Sequence, residues 1–232
     1  EEILADARAA YEAREEELYE TLSQVVAEHL IADVPVGLLL SGGLDSSLVA
    51  ALAARHSRVT TLTMGFADSK VDERPFGRQV AEHLGSDHHE VLFEPAELAA
   101  GLDEAAACLD DLFGDWGVIT TRLVYARARQ QGLKVVLVGE GSDELFAGYP
   151  VFETPAGPAW LRTLQLYRRY CGRRYGRGVL RFAPLFRRLL ARSRGDLFDA
   201  IRLFESRHQL PNNYVMKVDK ASMSVSVEAR CP

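Results

Sequence analysis

The sequence predicts an α/β fold: three layers, with a parallel sheet between helices, and an added helical lobe. Three observations carry this reading. Short apolar runs alternate with segments of helical period, the pattern of right-handed crossovers in a parallel sheet. The runs are apolar at successive positions, as in strands buried on both faces. After Pro150 the short runs stop and only helical spacing remains.

Residues 1–31 read as one connecting helix. Leu18, Leu22, Val25 and Val26 recur at helical spacing, behind a charged, Ala-rich stretch that includes Glu12 to Glu17. An α/β core follows over residues 32–150. Its first strand is expected at 34–40, where Pro35 suits only the first positions because it cannot donate to a ladder. Further strands are expected at 60–66, 89–93 and 134–138. Helices are expected near 45–55, 72–84, 95–108 and 118–131, with a short one at Asp143. Residues 151–232 read as a purely helical lobe. Ligands of such sheets bind at the carboxyl ends of the strands, near the point where strand order reverses. The turns 41–47 and 139–143 both follow strands, so both are expected at that edge.

The net charge of −6 over 232 residues is unevenly spread. Residues 151–210 hold thirteen Arg and no Lys against Glu153, Asp196, Asp199 and Glu205, a net +9 that leaves −15 on the rest. Such a stretch can mark a nucleic-acid face. Few aromatic residues are placed there for base stacking, so the preferred reading is an amphipathic lobe with a solvated Arg face and no nucleic-acid partner. Cys108, Cys171 and Cys231 lie far apart, with neither Cys-x-x-Cys nor zinc spacing. They read as reduced, mostly buried thiols of a cytoplasmic protein. No segment approaches the ~20 apolar residues of a membrane span, and no signal-peptide pattern stands at the start. A beginning at Glu1 without Met and a stop at Pro232, directly behind a strong motif, read as a fragment of a longer protein.

Ser41-Gly42-Gly43-Leu44-Asp45-Ser46-Ser47 closes a strand, turns on two glycines and opens a helix. The physical use of such a turn is anion binding: backbone N–H groups and the helix start point at an oxyanion, and three serines add hydroxyls. Asp45 would repel phosphates unless a cation lay between, so it implies Mg²⁺. A P-loop would need a Lys-Ser/Thr pair, and no lysine lies between Ala32 and Lys70. An ordinary serine-capped turn would also contain some of these residues; all seven together after a buried strand favour function. This loop resembles that of the ATP-pyrophosphatase superfamily, whose members cleave ATP between the α- and β-phosphates. The implied fold is a sheet of the adenine-nucleotide α-hydrolase type.

A second segment, Val138-Gly139-Glu140-Gly141-Ser142-Asp143-Glu144-Leu145-Phe146-Ala147-Gly148-Tyr149, resembles a signature of the asparagine synthetase family. So does Lys217-Val218-Asp219-Lys220-Ala221-Ser222-Met223-Ser224, followed by Val227-Glu228-Ala229-Arg230-Cys231-Pro232. The resemblance spans about Ala32 to Tyr149 and about Leu210 to Pro232. It implies that Asp45 and Asp143 hold Mg²⁺–pyrophosphate, although Asp143 also reads as a plain helix cap. Leu40, Met64 and Gly139 would lie against adenosine, with Ser41, Gly42, Gly43, Ser46 and Ser47 as the phosphate cradle. Glu140 would serve the acyl acceptor as base or positioning group. Lys217 would meet phosphate or a substrate carboxylate. Asp115 matches more loosely a position near the substrate. Lys220 and Arg230 read equally as structural ion-pair residues, with Glu228 a local partner. Val138 stands where the family usually has a small hydroxyl residue, and Ala147 replaces a frequent glycine, a mild change.

The implied chemistry is ATP-dependent amide formation. A carboxylate, by default aspartate, becomes an acyl-adenylate, and ammonia from glutamine converts it to asparagine with release of AMP. A β-lactam- or lasso-peptide-forming cyclase, or a tRNA-thiolating enzyme, remains an alternative. The expected partners are ATP, a small carboxylate and an amino-terminal glutaminase domain in the full-length chain; a homodimer is left open. The family's charge-stabilising lysine is expected beyond Pro232, so the isolated chain is expected to be inactive.

Overall fold

The computed structural model describes residues 2–67, 72–110, 113–153, 165–166 and 179–232. These fall into two compact units: residues 1–139 with 217–232, and residues 140–216.

The first unit is built on a five-stranded sheet. Helix α1 (Glu2–His29) leads into β1 (Val36–Leu39), followed by α2 (Leu44–Ala54), β2 (Thr60–Phe66), α3 (Arg74–Leu84) and β3 (Asp87–Phe93). Then come α4 (Pro95–Ala100), α5 (Leu102–Ala107), α6 (Gly117–Gln130) and β4 (Val135–Leu137). The strand order is β3-β2-β1-β4-β5, with every neighbouring pair parallel. The expected α/β class is therefore the observed one. The order runs outwards from β1 to β3 and then resumes on the other side of β1, so the reversal lies between β1 and β4.

The alternation of side chains across the strands makes the three layers. Leu38, Leu40 and Leu137 face a core closed by Val26, Ala50, Ala53 and Ala81 from α1, α2 and α3. Leu62, Phe93, Val136 and Val138 face the opposite core, closed by Ala105, Val118, Tyr125 and Ala128 from α5 and α6. Of the apolar stripe expected on α1, Val26 is buried, Leu22 is half-buried and Leu18 is 42% exposed.

Two expectations need correction. The expected helix over 95–108 is two helices that meet at Gly101, whose added Cβ would lie 3.3 Å from the Glu97 carbonyl. The region after Pro150 is not purely helical: Glu228–Arg230 forms β5, and residues 217–232 pack with the sheet unit rather than completing a lobe. The ladder is secured at both ends by Glu228 N–H to Lys134 O (2.8 Å) and Val138 N–H to Arg230 O (3.0 Å). Arg230 also pairs with Glu228 at 2.7 Å, and its Nη1 donates to the carbonyls of His29 and Ile31 at the end of α1. Lys220 pairs with Asp110 rather than Glu228. Both basic residues thus have structural partners.

In the second unit, α7 (Ser142–Phe146) is followed by a 3₁₀ turn (Pro150–Phe152), α8 (Val179–Arg192), α9 (Leu197–Phe204) and a π-helical segment, Glu205–Val215. Asp196 caps α9 by accepting the N–H groups of Phe198 and Asp199. Phe152, Leu189, Ala200, Ile201 and Phe204 form the core. Arg187, Arg188, Arg192, Arg194 and Arg207 are exposed, and Arg202 pairs with Asp199. Among the described residues this matches a solvated Arg face. The other part of the Arg-rich stretch, and Cys171, lie outside the described residues.

Ala147 ends α7 in the left-handed region, with φ 60°. The exchange for glycine is therefore less mild than the sequence implied. Left-handed backbone costs a non-glycine residue roughly 1–2 kcal/mol, and glycine's larger unfolded-state entropy offsets roughly 0.4–1 of that. Ala147→Gly is expected to raise stability by about 0.5–1 kcal/mol, read as a higher denaturant midpoint; a lower midpoint would refute the strain.

Helix α10 (Met216–Met223) leads from the π-helical segment towards β5. Its first residue belongs to the second unit and the rest to the sheet unit.

Candidate active site

Because all five strands are parallel, their carboxyl ends share one edge. The Ser41–Ser47 loop leaves β1 there, and Val138-Gly139 leaves β4 beside it, at the reversal of strand order. This is where open α/β sheets form their ligand crevice.

The loop is held by its own serines. Ser41 N–H donates to Ser46 Oγ at 3.2 Å, the two hydroxyls lie 2.9 Å apart, and Gly43 N–H donates to Ser41 Oγ at 3.2 Å. Ser46 Oγ, nearly buried, donates to Gly43 O at 3.3 Å. With Ser46 donating there, Ser41 donates to Ser46, and both hydroxyl hydrogens serve the loop. Ser47 differs: its Oγ is buried and has no hydrogen-bond partner among the described residues. The α2 start has no side-chain cap, its N-cap being Gly43. An uncapped helix start beside an unsatisfied buried hydroxyl fits a phosphate group. Asp45 stands in the same first turn, half-buried.

Close backbone approach fixes the loop from outside. Gly42 has φ +79°, and a Cβ there would lie 2.5 Å from the Phe76 carbonyl carbon and 2.7 Å from Gly77 N. Gly77 in turn has no room for a Cβ, which would overlap Thr63 Oγ1 and lie 2.9 Å from Leu40 O. Thr63, buried in β2, donates its hydroxyl to that same carbonyl. A Cβ at Gly139 would lie 3.2 Å from Ser46 N, so the exit of β4 runs against the start of α2.

The residues that the resemblance places near a nucleotide differ in what they offer. Leu40 is 1% exposed, its side chain sits in the core, and its N–H donates to Leu62 O at 2.9 Å. Met64 is half-buried near the end of β2. Lys217, 9% exposed on α10, donates from Nζ to Asp115 Oδ2 at 2.9 Å. Asp115 Oδ1 accepts the Gly117 N–H at 2.8 Å. Burial raises the Asp115 pKa, but these hydrogen bonds outweigh it and hold the carboxyl below its ordinary value.

Glu140 and Asp143 belong to the second unit and are described within it. Both are half-buried. Asp143 is in the first turn of α7, and its carboxylate occupies the space where Gly148 would carry a Cβ. The neighbouring Glu144 is 1% exposed and accepts the Tyr149 hydroxyl. Burial first, and then this carboxylate, push the Tyr149 pKa upwards. Within the second signature, buried Glu144 and half-buried Tyr149 are thus a pair. The roles of Gly77 and Gly148 escaped the sequence reading; a glycine in a helix interior and one just past a helix were the available signals.

Among the described residues no three or more His, Cys, Asp or Glu cluster as metal ligands. Mg²⁺ beside phosphates needs only one or two protein carboxylates, so the residue set of the loop fits it. No helix of the described residues is long and apolar enough to cross a membrane. Cys108 and Cys231 are half-buried and not in a disulfide.

The family model described as asparagine synthase matches residues 17–232. A Mycobacterium bovis protein, provisionally named as a glutamine-hydrolysing asparagine synthetase, is 40% identical over 145 residues, covering 62% of this chain and 22% of its own length. Glutamine-hydrolysing asparagine synthetase 3 of Arabidopsis thaliana is 37% identical over 149 residues, covering 57% of this chain and 25% of its own. The chain thus spans about a quarter of the length of these relatives. Among solved structures, an ammonia-dependent NAD synthetase of Campylobacter jejuni aligns over 83% of this chain and 93% of its own, at TM-score 0.43 and 16% identity.

Proposed function

This chain belongs to the asparagine synthase family, and we propose that the natural protein carrying it makes an amide by ATP-dependent activation of a carboxylate. The observation that supports this best is the uncapped start of α2, with the buried, unsatisfied Ser47 hydroxyl and Asp45 in one turn at the switch point of the sheet. Hydroxide is a poor leaving group, so the acid must first be activated. A carboxylate oxygen attacks the α-phosphorus of ATP, the bond to the bridging oxygen breaks, and pyrophosphate leaves. Ammonia then attacks the acyl carbon and AMP departs. The acid is aspartate by default and the product asparagine.

In this reading the α2 N–H groups and Ser47 hold phosphate oxygens, while Ser41, Ser46, Gly42 and Gly43 keep the loop in shape. Met64 borders the adenosine, with Gly139 giving the nucleotide room; Leu40, buried in the opposite core with its N–H and carbonyl both paired, supports the loop from behind. Asp45 offers a carboxylate to Mg²⁺, which would offset the charge of the leaving pyrophosphate; for Asp143 the same role rests on the sequence resemblance alone. Glu140 serves the acceptor amine as base or positioning group, and Lys217 meets a phosphate or substrate carboxylate. An amino-terminal glutaminase domain would supply the ammonia, and the protein would work in the cytoplasm.

The test supplies the natural protein with ATP, Mg²⁺, aspartate and ammonium, and follows pyrophosphate, AMP and asparagine. AMP and asparagine in equal amounts support the reading. Adenylation of a different acid would keep the family and overturn the aspartate assignment. Release of ADP and phosphate would overturn it.

Ser47 gives a sharper check. Its hydroxyl has no partner among the described residues, so Ser47→Ala is expected to leave the melting temperature unchanged or slightly higher. A hydrogen bond to a charged group is worth about 1.5–3 kcal/mol, so pyrophosphate affinity should fall by about 10- to 100-fold. Unchanged affinity by titration calorimetry would remove Ser47 from the cradle.

A further inference from the structure

The Lys217–Asp115 ion pair joins groups 102 positions apart in the sequence. Topology says where it sits. Helix α6 runs back before β4, and α10 precedes β5; both strands are parallel to β1. The first turns of both helices therefore lie at the carboxyl edge of the sheet, the edge from which the Ser41–Ser47 loop departs. The pair is built tightly. Asp115 gives one oxygen to the Lys217 ammonium and the other to the Gly117 N–H. A Cβ at Gly117 would lie 2.9 Å from Asp115 Oδ1 and 3.4 Å from Lys217 Nζ. A glycine at 117 therefore keeps the space around both charges clear.

Stability alone is a weak reason for this arrangement. Desolvating a lysine is expensive, and well-packed apolar residues generally serve a fold as well as a buried ion pair does. Its position at the ligand-binding edge gives a stronger reason.

We propose that Asp115 is a positioning residue for Lys217: it holds the ammonium in one direction at the carboxyl edge, and contacts neither metal nor substrate itself. This rests on the reading above, in which Lys217 faces an anion of the adenylation reaction. It departs from the sequence-based expectation of Asp115 near the substrate, because both carboxylate oxygens are engaged within the protein. A misdirected ammonium would still bring charge to the site, so binding should suffer less than the chemical step. Misplacement of about 1 Å can cost roughly 10²-fold in rate.

The experiment uses the natural protein with Asp115→Asn, Lys217→Gln and the double variant, and Asp115→Ala as a second substitution. Steady-state kcat and KM for ATP are measured beside Mg²⁺-dependent pyrophosphate binding, which reports the phosphate loop. Asp115→Asn is expected to lower kcat by about 10- to 100-fold, with KM for ATP and pyrophosphate affinity changed by less than about 3-fold. In the Lys217→Gln background it should add nothing, since two residues acting as a unit are non-additive. Additive losses, or a shift in Mg²⁺ dependence, would mean that Asp115 acts directly, and would overturn the proposal. A lower melting temperature with unchanged kcat would reduce the pair to structure and overturn it equally. Full activity of Lys217→Gln would instead show that the role given to Lys217 is wrong.

Discussion

Asp45→Ala is expected to lower the rate of ATP–pyrophosphate exchange by about 10²–10³, the usual loss when one stabiliser of transition-state charge is removed. The argument is electrostatic. Asp45 stands in the first turn of α2, beside the buried Ser47 hydroxyl. Without phosphate, a carboxylate at a helix start gains about 0.3–1 kcal/mol from the helix dipole, so the variant should lose little stability. With phosphate present, the same carboxylate repels the ligand unless a cation intervenes. The two states therefore respond oppositely. In Mg²⁺ the variant should bind pyrophosphate more weakly than the parent. In chelator it should bind as well or better, because the repulsion is gone. Calorimetric titration in both conditions checks this. If the variant keeps the parent's Mg²⁺ dependence, Asp45 is no metal ligand.

Gly42→Ala should destabilise the sheet unit by about 2–5 kcal/mol, from about 1–2 for left-handed backbone plus about 1–3 for overpacking. The added Cβ meets the Phe76 carbonyl carbon at 2.5 Å and Gly77 N at 2.7 Å. These are backbone atoms of α3, so no side chain can turn aside to relieve the contact. At roughly 2–4 °C per kcal/mol for a protein of this size, the melting temperature should fall by about 4–20 °C. The adjacent glycine is the control. Gly43 is extended, with φ −70°, and among the described residues a Cβ there meets only Ser41 Oγ, at 3.3 Å. Gly43→Ala should cost less than about 1 kcal/mol, as mild substitutions do. Equal melting temperatures for the two variants would show that the α3 start does not clamp the loop.

The inner strands β1 and β4 were legible because burial on both faces leaves a local mark. Val36–Leu39 and Val135–Leu137 lie in apolar runs with a charge upstream and a glycine turn downstream, the pattern of buried parallel strands. The Ser41–Ser47 turn was legible for a similar reason: its seven residues carry their own turn, helix start and hydroxyls. Strand β5 was not. Glu228-Ala229-Arg230 contains no apolar run, and its pairing with β4 rests on backbone hydrogen bonds that leave no trace in side-chain chemistry. The break at Gly101 was missed because a glycine within a helical pattern is often tolerated.

The division at the site follows the same line. Sequence alone determined which residues could hold phosphate, since Ser41 to Ser47 are contiguous and the backbone turn brings their donors together. It could not tell the serines apart. Only the folded loop ties Ser41 and Ser46 to each other and leaves the Ser47 hydroxyl without a partner among the described residues. Sequence also supplied Lys217 and Asp115 as candidates, but not their union. Only tertiary structure decided it, by returning α6 and α10 to one edge of the sheet, because contacts across 102 positions depend on how crossovers close and not on any local pattern.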